Sequence, residues 1–184
     1  MIVALQTRPR KVNIFSLILA KEVEEEVMVA KILSIHDNKN GFLCFDLIDV
    51  LNCIDIHQWK WYISKNLDAL GIPDTLETEK ICTAAERSEQ GIWLSSDALR
   101  LFAKQTLQVI DGRFVAFDAL IDSLLPPLDF DLRFSPNSHA ECIIEAIDST
   151  MFFVYVKNEA QIQSIRSYFT DVREEDEEKY FMRD

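Results

Sequence analysis

The sequence predicts an α+β protein, with a helix-rich N-terminal two thirds and a C-terminal antiparallel β-hairpin covered by a helix. Three observations carry this expectation. Apolar residues recur every three or four positions through much of residues 12–124, the spacing of a helix face. Nearer the C-terminus, two short runs of branched and aromatic residues, "ECIIEAI" and "MFFVYV", flank Asp148-Ser149-Thr150, as a hairpin requires. Asn158 then stands where it can cap "EAQIQSIRSYF", whose Ile162, Ile165 and Phe169 share one face.

In chain order, Phe15, Leu19, Val23, Val27, Ala30 and Leu33 form one stripe if residues 12–35 are helical, with Glu22, Glu25 and Glu26 on the wet face. The branched runs "VNIFSLILA" and "VMVAKILSI" keep a strand pair open as the alternative. "HDNKNG" ends whichever element precedes it. Residues 42–53, "FLCFDLIDVLNC", read as a short buried helix. Asp55 then caps the clearest helix in the chain, with Ile56, Trp59, Ile63, Leu67 and Leu70 on its apolar face and Gly71 and Pro73 as its stop. Residues 72–92 are mixed and polar, a loop with one helical turn around "TEKICTAAE". Ser95 or Ser96 opens the next helix, through Leu99 and Phe102 toward Leu107. At Asp111-Gly112 the chain can turn a hairpin or cap a helix. The spacing of Phe114, Phe117, Ile121 and Leu124 favours helix–turn–helix until Pro126-Pro127 forbids more. No internal repeat or Gly/Ser linker divides the chain, so residues 1–184 are expected to form a single domain whose acidic tail, 173–184, is free to fray.

With 48% hydrophobic and 27% charged residues, the composition is neither disordered nor fibrous. The charge is lopsided, 31 acids against 19 bases for a net of −12. Residues 1–39 hold six bases and five acids, residues 40–170 ten and nineteen, and residues 171–184 three and seven. Such a field repels phosphate backbones, which speaks against direct nucleic-acid binding, and it steers basic proteins toward the surface. Solubility alone would also account for it. No stretch approaches the roughly 18–20 apolar residues of a membrane span. Arg8, Arg10 and Lys11 before "VNIFSLILA" mimic a secretory signal, yet Asn13 and Ser16 dilute the run and bulky Ile18 stands where cleavage needs a small residue. A cytoplasmic monomer or weak dimer is expected, with Cys44, Cys53, Cys82 and Cys142 as buried, reduced thiols, since no C-x-x-C pair joins them.

His36, His57 and His139 stand in unrelated contexts, no serine sits in a G-x-S-x-G elbow, and four glycines cannot build a nucleotide cradle. No catalytic residue, metal ligand or cofactor is therefore assigned, and the protein is not expected to be an enzyme. The alternative is a small metal-dependent hydrolase using Asp129 and Asp131, with His139 and Glu141 near in sequence. Alternation of these acids with Phe130, Leu132 and Phe134 suits the wet face of an edge strand better. "HQWKWYI" places Trp59 in the core and leaves Trp61 and His57 on a flank as a weak contact surface.

The strongest feature is "DVREEDEEKYFMRD", in which Glu174, Glu175, Asp176, Glu177 and Glu178 precede Tyr180 and Phe181. Acids around aromatic anchors suit a protein interface, because buried aromatics carry binding energy while carboxylates speed encounter with a basic patch. Small, acidic, α+β and ending in "ECIIEAIDSTMFFVYVKNEAQIQSIRSYFTDVRE", the chain resembles in type the immunity proteins of bacterial toxin systems. That resemblance implies a basic protein partner, a cognate toxin such as a nuclease, inhibited by masking its positively charged active site. An acidic adaptor or nucleic-acid mimic is a further reading.

Overall fold

The strands of this protein alternate two apolar sets of side chains where an amphipathic strand would alternate apolar with polar. The fold follows from that pattern, because a sheet that is apolar on both faces must be covered on both. The computed structural model describes residues 30–40, 42–118 and 140–176. In order these form β1 (Lys31–Ile35), β2 (Asn38–Lys39), β3 (Phe42–Leu43), α1 (Leu47–Asn52), β4 (Trp59–Ile63), β5 (Asp68–Gly71), α2 (Glu77–Arg87), β6 (Ile92–Ser95), α3 (Ser96–Gln105), β7 (Thr106–Asp118), β8 (Ala140–Ile147), β9 (Met151–Val156), α4 (Glu159–Tyr168) and β10 (Val172–Glu175).

Eight strands make one sheet in the order β10-β1-β9-β8-β7-β4-β6, with β5 on the N-terminal half of β7. Every pairing is antiparallel. On one face Leu33, Ile35, Trp61, Ile63, Phe114, Ala116, Cys142, Ile144, Phe152 and Val154 meet the buried sides of all four helices. On the other, Ile32, Tyr62, Val115, Phe117, Ile143, Phe153 and Tyr155 form a second buried cluster that includes no helix residue. Each fully buried Trp61, Phe114 or Phe152 contributes about 2–3 kcal/mol by leaving water.

The molecule is α+β, but its N-terminal two thirds are not helix-rich. The helix expected after Asp55 is instead β4 and β5: Trp61, Tyr62 and Ile63 are all buried in succession, which a one-sided helix cannot do and a doubly covered strand can. Trp61, expected on a flank, is fully buried and its indole N–H donates to Ser96 Oγ at 3.2 Å, while Trp59 is half-buried. The helix–turn–helix expected around Asp111-Gly112 is the single long strand β7. A Cβ at Gly112 would lie 2.7 Å from Leu67 Cδ1, the movable end of a side chain, so the glycine marks close approach and no turn. Within residues 12–35, Lys31–Ile35 is strand, paired on both edges with β9 and β10; residues 12–29 lie outside the described residues. Residues 42–53 begin as β3, and the helix starts at Leu47 behind Asp46, which forms a capping box with Asp49. The supposed loop 72–92 holds the eleven-residue α2.

The hairpin β8–β9 turns at Asp148 and Ser149, both left-handed with φ of 46° and 55°. It is the centre of the sheet and not an appendage to a helical body. Asn158 Oδ1 accepts from the Ala160 and Gln161 amides to start α4, and Ser95 Oγ does the same for α3 through Ala98. Ile121, Leu124, Asp129, Asp131 and His139 lie outside the described residues.

Candidate binding surface

Glu174 and Glu175 are built into the sheet. Both belong to β10, the edge strand beside β1. Glu174 Oε2 accepts from Lys31 Nζ at 3.2 Å and from Arg166 Nη2 at 2.6 Å. The Lys31 hydrogen bond, joined by that of Arg166, holds the Glu174 carboxyl below its ordinary range. Glu175 Oε1 accepts from Ser34 Oγ at 2.5 Å. Asp176 follows the strand, while Glu177, Glu178, Tyr180 and Phe181 lie outside the described residues.

The chain Glu175–Ser34–His36 merits a chemical test, since His36 Nε2 lies 2.9 Å from Ser34 Oγ and a serine beside a histidine is the start of a nucleophilic site. Here the serine proton goes to Glu175. Nε2 is then left as donor to Oγ and cannot act as its base, and Ser34 is fully buried. The trio ties β1 to β10. Among the described residues no three His, Cys, Asp or Glu side chains gather to hold a metal ion. Nor is any described helix long and apolar enough to cross a membrane.

A different surface is open. Between β5 and α2 runs a groove of about 950 Å³ whose lining includes Asp68, Asp74, Glu79, Glu86 and Asp111 against one cation, Lys65. All five carboxylates are exposed, and among the described residues none is in an ion pair. Ile72, 38% exposed, adds apolar surface to the same lining. One end is closed where α2 packs on β5, Thr78 Cβ leaving only 3.1 Å for a Cβ at Gly71. That end is pinned: the Ile72 amide and Thr78 Oγ1 both donate to the Gln105 carbonyl, at 2.8 and 2.9 Å. Half-buried Cys82 lines the groove too. Burial, with the Asp68 charge second, pushes its thiol up against the opposing Ala69 amide, which disfavours the reactive thiolate. Of the other cysteines, Cys53 and Cys142 are buried and Cys44, expected inside, is exposed.

Comparison with protein-family models, with curated proteins and with solved structures finds no match for this chain.

The groove escaped sequence reading because its acids are scattered over 44 positions, from Asp68 to Asp111, and only the fold of β5 against β7 and α2 assembles them. A signal was present in the charge count of residues 40–170, which named the segment without naming the residues.

Proposed function

We propose that the protein is an acidic binding protein that engages a basic protein partner at the β5–α2 groove, of the toxin–immunity type its sequence resembles, acting in the cytoplasm as a monomer or weak dimer. The observation that carries this reading is the groove's set of five exposed carboxylates, unpaired by any described cation, beside an apolar lip. Asp111 also accepts from the Asp148 amide at 3.0 Å, but charges not neutralised by an internal cation keep their field available to a partner, whereas Glu174 is paired with both Lys31 and Arg166. The net charge of −12 acts in the same direction. Inhibition would follow from covering a cationic active-site cleft.

Capture of the partner from the native host at low salt, followed by purification and assay of that partner alone and in complex, tests the reading. The captured protein is expected to be basic and to lose its activity in the complex. A partner that is acidic, or one that stays fully active when bound, would sink the proposal.

A further inference from the structure

We infer that the outer edge of β6, which no described strand pairs, accepts an extended segment of the basic partner as a ninth strand of the sheet. The inference rests on the basic-partner reading and adds how the partner is held. The two ends of the sheet differ in kind. β10, at one end, carries Arg173, Glu174 and Glu175 in a strand of four residues, the charged guard that natural edge strands use against unwanted pairing. β6, at the other end, reads Ile92-Trp93-Leu94-Ser95, without a charge or a proline. It pairs with β4 in an unbroken register, Lys60 with Ser95 through Ile63 with Ile92, so no bulge twists it away. Among the described residues no backbone hydrogen bond joins β6 to anything but β4. Alternate residues of a strand paired on one side direct their N–H and C=O groups outward, where they can hydrogen-bond a further chain.

The edge is also held in shape. Just before it, Gly91 adopts φ +86°, and a Cβ there would collide with the Ile63 carbonyl and the Tyr62 ring. Tyr62 Oη donates to the Gln90 carbonyl, and Ser88 Oγ to that of Gly91 at 2.5 Å. Trp93, 36% exposed, is braced by edge and tilted contacts with Tyr62 and Phe117, both at 5.5 Å between centroids. A rigid, partly exposed tryptophan on a preformed edge gives anchoring area at little entropic cost.

Charge selects the occupant. A second copy would bring another −12 to a four-residue edge too short to bury the roughly 1,200 Å² of a stable interface. A basic segment is attracted instead. The groove lies near the start of β6: Ile63 pairs with Ile92, Lys65, two residues after Ile63, lines the groove, and so does Glu86 from the last turn of α2, six residues before Ile92. A segment lying along β6 thus passes toward the carboxylates.

The probe is a short capped peptide of alternating lysine and valine, titrated into the isotope-labelled full chain at low salt and followed residue by residue by NMR. Saturable binding is expected, with shifts and slowed amide exchange at Ile92–Ser95. A peptide methylated on alternate amide nitrogens should bind about tenfold more weakly, as should the peptide toward Trp93→Lys, with Trp93→Phe close to wild type. Shifts confined to the groove acids or to Glu174–Glu178 would overturn strand addition while leaving the basic-partner reading standing. Absence of binding, equal affinity of the methylated peptide, or dimerisation of the free protein through β6 seen by sedimentation and NMR would each overturn it as well.

Discussion

Asp46 joins three parts of the molecule through one carboxylate. It caps α1 through the Leu47 amide at 2.6 Å, reaches across to the Val109 amide of β7 at 3.2 Å, and its own amide donates to Asp49. Burial outweighs those hydrogen bonds and raises its pKa from 3.8 to about 6. An acid whose folded pKa lies above its unfolded value binds more protons when folded, so its contribution to stability falls as pH rises through this window. The window is pH 3.8 to about 6, and the full effect is at most about 3 kcal/mol. Unfolding of wild type and Asp46→Asn in urea across that range should show the wild type losing stability relative to the variant with rising pH. A constant difference would mean that Asp46 titrates normally.

At the scale of elements, glycine placement makes a graded prediction. Gly91→Ala puts a Cβ into the Ile63 carbonyl at a left-handed φ and should cost about 3 kcal/mol or more. Gly112→Ala meets only the movable Cδ1 of Leu67 and should cost about 1–2 kcal/mol; denaturant midpoints that reverse this order would contradict the packing described. The same elements explain what the sequence disclosed. α3 and α4 were legible because Ser95 and Asn158 signal their starts with side-chain caps. α2 was missed because Leu76 occupies its N-cap position without a side-chain bond. β4 and β7 were misread because Trp61-Tyr62-Ile63 and Phe114-Val115-Ala116-Phe117 are apolar at every position, and with both faces covered the period of two vanishes, leaving spacings that also fit a helix. Of the candidate surface, only its sign was legible. Cross-strand and helix contacts bring Asp68, Glu79 and Asp111 together, and no local pattern encodes them.

For the whole molecule, the question is which acids a partner feels first. Replacing Asp68, Asp74, Glu79, Glu86 and Asp111 by their amides removes five charges from the groove lining without removing an ion pair among the described residues. Replacing Glu174 and Glu175 breaks ties to Lys31, Arg166 and Ser34. Screening separates the consequences. The Debye length is about 10 Å at 0.1 M salt and about 3 Å at 1 M, so a field that guides encounter acts only at low salt. With the captured partner in stopped flow, the groove variant should associate several-fold more slowly than wild type at low salt, and the gap should close at high salt. Its thermal stability should stay near that of wild type, because no described ion pair is lost. The Glu174→Gln, Glu175→Gln variant should instead unfold at lower temperature, by weakening the β1–β10 edge. Association rates that are unchanged in the groove variant at low salt, but slowed in a variant neutralised from Glu174 to Glu178, would move the encounter surface from the groove to the C-terminal acids.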